Sequence, residues 1–188
     1  IVNVGTDLVT SRRAVDLAKE YEEIYAAVGV HPHGAKKLDG AALGELRELA
    51  LRPKVVAVGE IGLDYYRNLS PRDAQRRAFQ AQLAWAAKLG KPVIIHTRDA
   101  QQDTLDVLRA ENADVCGGVL HCFTGNADFA GRLLEIGLMI SFSGIVTFKK
   151  TAYLREAAFT MLNRMVALKM LEARELVQEC ISRGEQSA

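Results

Sequence analysis

Short apolar runs built from Val, Ile, Leu and Ala recur along this chain at Ile1 to Val4, Tyr25 to Val30, Val55 to Val58, Val93 to Ile95, Gly118 to Leu120 and Leu138 to Phe142. Each has the length of a buried strand, and between them the apolar positions change to a helical period. Ala14, Leu17, Ala18 and Tyr21 fall at i, i+3, i+4 and i+7, which predicts a sheet-covering helix between Thr10 and Tyr21. Ser70 then Pro71 reads as N-cap and first helical residue. The helix they open runs through Phe79, Leu83, Ala86 and Ala87 and closes at Gly90, with Pro92 just beyond. Asn126 caps a further helix through Leu133, Leu134 and Ile136 that stops at Gly137. The alternation of strand and helix predicts an α/β fold with parallel strands and right-handed crossovers.

In α/β sheets and barrels the C-terminal ends of the strands form the rim where active sites sit. Three metal-seeking side chains stand where an apolar run is ending: Glu60 in AVGEIGLDYY, His96 in PVIIHTR and His121 in GVLHCF. The intervals between them bracket the roughly 31 residues per unit of an eight-unit barrel. Six strands are legible rather than eight. After Ala158 the text reads as one or two helices, with Gly184 as a C-cap; Met161, Met165 and Met170 supply soft packing there.

The chain has 188 residues, 49% hydrophobic and 25% charged, which predicts one domain over 1–188 with an ordinary globular core. No run approaches the roughly 18 consecutive apolar residues of a membrane span, and the sequence shows no charged-then-apolar leader. Cys116, Cys122 and Cys180 are odd in number and lack C-x-x-C pairing, so a disulfide framework or a zinc knuckle is not indicated. The expectation is a soluble cytoplasmic protein, with no membrane partner and an undetermined oligomeric state. A net charge of +1, with both signs mixed along the chain, argues against a wide duplex-binding groove. A nucleic-acid substrate would be held by metals and a few local side chains. Because Ile1 is not a translation start, residues upstream are expected.

One carboxylate and two imidazoles converging on a rim suggest a hydrolytic metal centre for Zn²⁺, Mn²⁺ or Mg²⁺, with imidazole favouring the transition metals. His31 and His33 flank Pro32 at another strand end, so all four histidines lie at strand ends. His31 is a candidate phosphate contact, and His33 a loop-stabilising hydrogen bond. Asp64, Tyr65 and Arg98 closely follow the ligand positions and are candidates for orienting ligands or holding substrate. For Asp64 and Arg98 a structural ion pair is an equally good account. Gly59 and Gly62 bracket Glu60, where the absence of a side chain lets the backbone bend. The absence of G-x-x-x-x-G-K-[ST] rules out a phosphate loop of that kind.

The motifs GVHPH (Gly29 to His33), VGEIGLDYYR (Val58 to Arg67), KPVIIHTRDA (Lys91 to Ala100), GVLHCFTG (Gly118 to Gly125) and ISFSGIVTFK (Ile140 to Lys149) resemble, in order and spacing, those of the TatD family of metal-dependent deoxyribonucleases. The resemblance covers roughly residues 1–158 and leaves a divergent helical tail at 159–188. It implies a TIM-barrel-like (β/α)8 fold of the metal-dependent hydrolase type. In that fold Glu60 bridges two divalent ions as the catalytic carboxylate, while His96 and His121 each give a nitrogen to one of them. From their places beside these ligand positions, His31, Asp64 and Arg98 are expected to be substrate-binding residues. The family's first strand, bearing His-x-His, and its last, bearing Asp, have no counterpart in this text, so the barrel is expected to be incomplete in one wedge.

The expected function is phosphodiester hydrolysis on DNA, single-stranded or at ends, by an exonuclease-like TatD-type enzyme that is impaired in this shortened form. Two alternatives stay open: a metal amidohydrolase or lactonase on the same barrel, since fold alone does not choose substrate, and an inactive relative serving as an interaction module.

Overall fold

Six strands pair side by side in the order in which they occur, every pair parallel. They are β1 (Val2–Val4), β2 (Tyr25–Val28), β3 (Val55–Asp64), β4 (Val93–Arg98), β5 (Gly118–Leu120) and β6 (Leu138–Ile140). Helices fill the crossovers: α1 (Leu8–Glu20), α2 (Gly40–Ala50), α3 (Arg72–Leu89), α4 (Gln101–Ala110) and α5 (Ala127–Glu135). A doubly wound sheet reverses its strand order partway. This one never reverses, and such unidirectional stepping builds the wall of a (β/α) barrel. Among the described residues β1 and β6 each pair with one neighbour.

This computed structural model describes residues 1–147. The chain gathers into two compact units, Ile1–Ser141 and Phe142–Ala188, and the described part of the second includes a 3-10 turn at Gly144–Thr147. The helices expected beyond Ala158, with Met161, Met165, Met170, Cys180 and Gly184, lie outside the described residues.

Helix ends follow local chemistry. Asp7 Oδ1 accepts from the Thr10 N–H at 2.8 Å and Thr10 Oγ1 accepts from the Asp7 N–H at 3.0 Å, a reciprocal cap that starts α1 at Leu8 rather than Thr10. Asn126 Oδ1 caps α5 through the Phe129 N–H, and Gly90 ends α3 in the left-handed region, both as expected. Ser70 does not cap α3. Its hydroxyl donates to the His33 carbonyl at 2.8 Å and accepts from the Lys36 N–H at 3.1 Å, tying the loop after β2 to the start of α3.

The core joins Phe79, Leu83 and Trp85 of α3 to Ile61 and Leu63 of β3, Ile95 of β4 and Leu105 and Leu108 of α4, all at most 1% exposed. Such burial contributes roughly 1.5–3 kcal/mol per large side chain. Three of the buried polar side chains, Ser11, Gln75 and Gln82, each clasp one residue beyond or at the end of a strand. Ser11 Oγ meets both the N–H and the carbonyl of Gly29. Gln82 accepts from the Val30 N–H at 2.7 Å and donates to its carbonyl at 3.1 Å, and Gln75 does the same for Asp64, at 2.8 and 3.1 Å. These clasps explain why β2 ends at Val28: the next two backbone residues are bonded to helices instead of to a strand. Gln82→Leu leaves both polar groups of Val30 buried without a partner. We expect a loss of about 2–4 kcal/mol in urea unfolding, and an unchanged midpoint would show that Gln82 only fills space.

Candidate metal centre

The strands run further than their apolar text. β3 continues through Glu60 to Asp64 and β4 through His96 to Arg98, paired from Ile61↔Ile95 to Asp64↔Arg98. Glu60 and His96 therefore lie within strands rather than at their ends. Polar and glycine residues made that stretch read as loop, whereas the ladder bonds to the neighbouring strand keep it extended. The Gly59–Glu60 peptide is cis. Gly62 has a φ of 135°, and a β-carbon there would fall on the carbonyl of His96, so only glycine lets β4 approach β3 at this register.

On either side of Gly62 stand two carboxylates, and the His96 ring spans them. Its Nε2 is 3.1 Å from Asp64 Oδ2 and its Nδ1 is 3.5 Å from Glu60 Oε1. Asp64 is 1% exposed and also meets His33 Nε2 at 2.9 Å with the same oxygen, while its Oδ1 accepts from the Arg67 N–H. Burial would raise the Asp64 pKa, but the Arg67 N–H and the two imidazoles outweigh it and lower it. An ionised carboxylate only accepts, so both imidazoles donate to it through Nε2. In the neutral tautomer this leaves the His96 Nδ1 lone pair turned towards Glu60.

His31 completes the cluster. Its N–H donates to the Thr6 carbonyl, just as the Glu60 N–H donates to Gly5, so the turn after β1 carries both. His31, Glu60 and His96 each bring one nitrogen or carboxylate oxygen to the cluster, all within 4.8 Å of one another. His31 Nδ1 accepts from the His33 N–H at 3.2 Å, which leaves the ring proton on Nε2 in the neutral tautomer. Burial, then the His96 charge, pulls the His31 pKa from 6.5 to about 4. Glu60 is also lowered: burial raises it, but the neighbouring imidazoles of His96, His31 and His121 prevail. Thr6, Asp7, His31, His33, Gly34 and Glu60 line an open cleft of about 430 Å³ over this cluster.

The donor chemistry fits a divalent cation. A carboxylate oxygen and an imidazole lone pair facing each other at 3.5 Å are too far apart for a good hydrogen bond, yet suit a shared ion at ligand bonds of roughly 2.0–2.2 Å. Asp64 behind His96 is the carboxylate that orients a ligating imidazole and raises its basicity.

The other expected residues lie around this group. His121 stands just beyond β5, exposed, with Nε2 at 3.3 Å from Cys122 Sγ; it is outside the group of three, although its charge still lowers the Glu60 pKa. Arg98 is exposed, its guanidinium 3.8 Å from the centre of the Tyr66 ring. Tyr65 OH donates to Asp103 at 2.6 Å, away from the cluster. Sequence reasoning missed Gln75 and Gln82, which hold the backbone of Asp64 and of Val30, next to His31. Their signal was available: two amides seven residues apart on the apolar face of α3.

These groups predict the pH response of the metal-free chain. A folded-state pKa below the unfolded one means that stability is full above 6.5 and is lost as pH falls through about 4 for His31. Glu60 and Asp64, also lowered on folding, act in the same direction at the acid end. The urea midpoint in chelator should therefore fall between pH 7 and 4, with His31 accounting for at most about 3 kcal/mol. His31→Asn should flatten the part above pH 5. A profile identical to that of the parent would remove His31 from this account.

Comparison with known proteins agrees with the fold and the motifs. A sequence model of the family described as TatD related DNase matches residues 1–170. The chain is 45% identical over 87% of its length to the uncharacterized metal-dependent hydrolase YcfH of Escherichia coli K12, covering 61% of that protein. It is 43% identical over 77% of its length to the 3'-5' ssDNA/RNA exonuclease TatD of Edwardsiella piscicida, covering 56% of it. The crystal structure of YJJV, a TatD homologue from Escherichia coli K12, superposes with a TM-score of 0.77 at 31% identity over 83% of this chain and 61% of that one. The chain thus spans about three fifths of the length of the curated relatives it matches. With a one-way parallel sheet, a carboxylate–imidazole cluster within it and this similarity, the chain belongs to the TatD-related DNase family.

Proposed function

We propose that this chain carries the metal-binding part of a metal-dependent hydrolase that cleaves phosphodiester bonds in single-stranded nucleic acid. The reading rests on the His96 imidazole, held between Asp64 at Nε2 and Glu60 at Nδ1. Glu60 and His96 would hold a divalent ion, and His121, just beyond the next strand, would supply a nitrogen to a second. Bound divalent ions supply Lewis acidity and a water of lowered pKa. Asp64 keeps the His96 proton on Nε2, so the other nitrogen stays available as a ligand. His31, neutral with its proton on Nε2, donates to a phosphate oxygen. Arg98 pairs with a phosphate further along the strand. The nuclease names of relatives support this substrate class over amides and lactones. Among the described residues no helix is long and apolar enough to cross a membrane, and Cys116 is a free thiol, consistent with a reducing cytoplasm.

The test offers the chain a labelled single-stranded oligonucleotide, a lactone and an N-acyl amino acid, each with Mn²⁺ or Mg²⁺ and with chelator. Chelator-sensitive shortening of the oligonucleotide alone is expected. Turnover of the lactone or the amide, with the oligonucleotide intact, would replace this reading with the amidohydrolase one.

A further inference from the structure

Two adjacent tyrosines follow β3, and their surroundings differ. Tyr65 is committed to the protein: its hydroxyl donates to Asp103, which also accepts from Arg76, and the Arg72 guanidinium lies 4.3 Å from its ring centre. Tyr66 is 61% exposed and is touched on its ring by Arg98 at 3.8 Å. No carboxylate lies within ion-pair distance of Arg98 among the described residues.

The position of this pair gives it a use. Along β4, Ile94, His96 and Arg98 share one face while Val93, Ile95 and Thr97 are buried on the other. Arg98 therefore follows His96 on the same face, about 6.6 Å further along the strand. A strand whose phosphodiester lies at His96 brings its neighbouring nucleotide to Arg98 and Tyr66.

We propose that Tyr66 and Arg98 form a nucleotide-holding subsite, in which Tyr66 stacks an unpaired base and Arg98 takes the adjoining phosphate. The inference rests on the phosphodiesterase reading and deepens it. Every base has a π-face, so the subsite is indifferent to sequence. A base inside a duplex is already stacked on both faces and must leave the helix to reach the ring, so the subsite selects single strands and frayed ends.

The test is binding without turnover. A fluorescent oligothymidylate is titrated in EDTA with the 188-residue chain and with its Tyr66→Ala, Tyr66→Phe and Arg98→Ala variants, and the series is repeated with an abasic oligonucleotide of the same length. Tyr66→Ala should weaken oligothymidylate binding about tenfold or more, Tyr66→Phe should keep it, and the abasic strand should bind wild type and Tyr66→Ala alike. Arg98→Ala should lower the slope of log K against log salt by about one. Absence of wild-type binding, equal binding by Tyr66→Ala, or a Tyr66→Ala penalty of the same size on the abasic strand would overturn the subsite. The two readings separate cleanly. Base-dependent binding without chelator-sensitive hydrolysis upholds the subsite and removes the catalytic assignment; hydrolysis with binding indifferent to Tyr66 does the reverse.

Discussion

Glu60→Gln should leave the chain folded and weaken Mn²⁺ binding about 100-fold or more, with hydrolysis lost in parallel. The two side chains have the same shape, so the change removes a charge and little else. That charge is half-buried beside His31 and His96, whose imidazoles favour the ionised form despite burial. Removing a group that merely orients a ligand costs 10–100-fold in metal affinity, and removing an anionic ligand should cost more. Calorimetric titration with Mn²⁺ on the parent and the variant, with circular dichroism to confirm the fold, measures the difference. Equal affinity would place the ion elsewhere and detach Glu60 from the centre.

The second large effect is structural and lies two residues away. Gly62→Ala should destabilise the chain by about 3 kcal/mol or more, from a left-handed backbone and an overpacked strand pair together. The added carbon meets main chain rather than a side chain that could swing aside, since the carbonyl of His96 occupies its place. Relief requires β3 and β4 to separate where the His96 ring spans Glu60 and Asp64. Thermal unfolding should show the loss, and reduced Mn²⁺ affinity should accompany it in whatever folded fraction remains. A variant melting with the parent would mean that this stretch of the ladder is looser than described.

The strands and their direction were legible because Val, Ile, Leu and Ala runs alternate with helical stripes, and the three ligand candidates were visible because each follows such a run. The extent of β3 and β4 was not legible. GEIGLD has the composition of a turn, and its extended form depends on partners supplied by β4 more than thirty residues later in the chain. The grouping of His31 with Glu60 and His96 escaped for a related reason: it depends on the turn after β1, whose Gly5 and Thr6 carbonyls accept the N–H groups of Glu60 and His31. Ser70 misled because serine before proline has the form of a cap, while its hydroxyl had a better offer from the His33 carbonyl. Asp64 kept two readings because a spacing cannot show that one oxygen will meet two imidazoles.

Strand order also bears on how this chain comes to be folded. Because each strand lies beside the one made just before it, a growing chain can add one βα unit at a time to an edge already in place. Among the six described strands, each finds a partner in the strand made just before or just after it. Loop closures stay short, and sequence separations between contacting residues stay low for a parallel sheet, which favours rapid acquisition of structure from the N-terminus during translation. The metal cluster would mature on the same schedule: the turn after β1, then His31, then Glu60 and Asp64, and last His96, whose ring closes the arrangement when β4 docks.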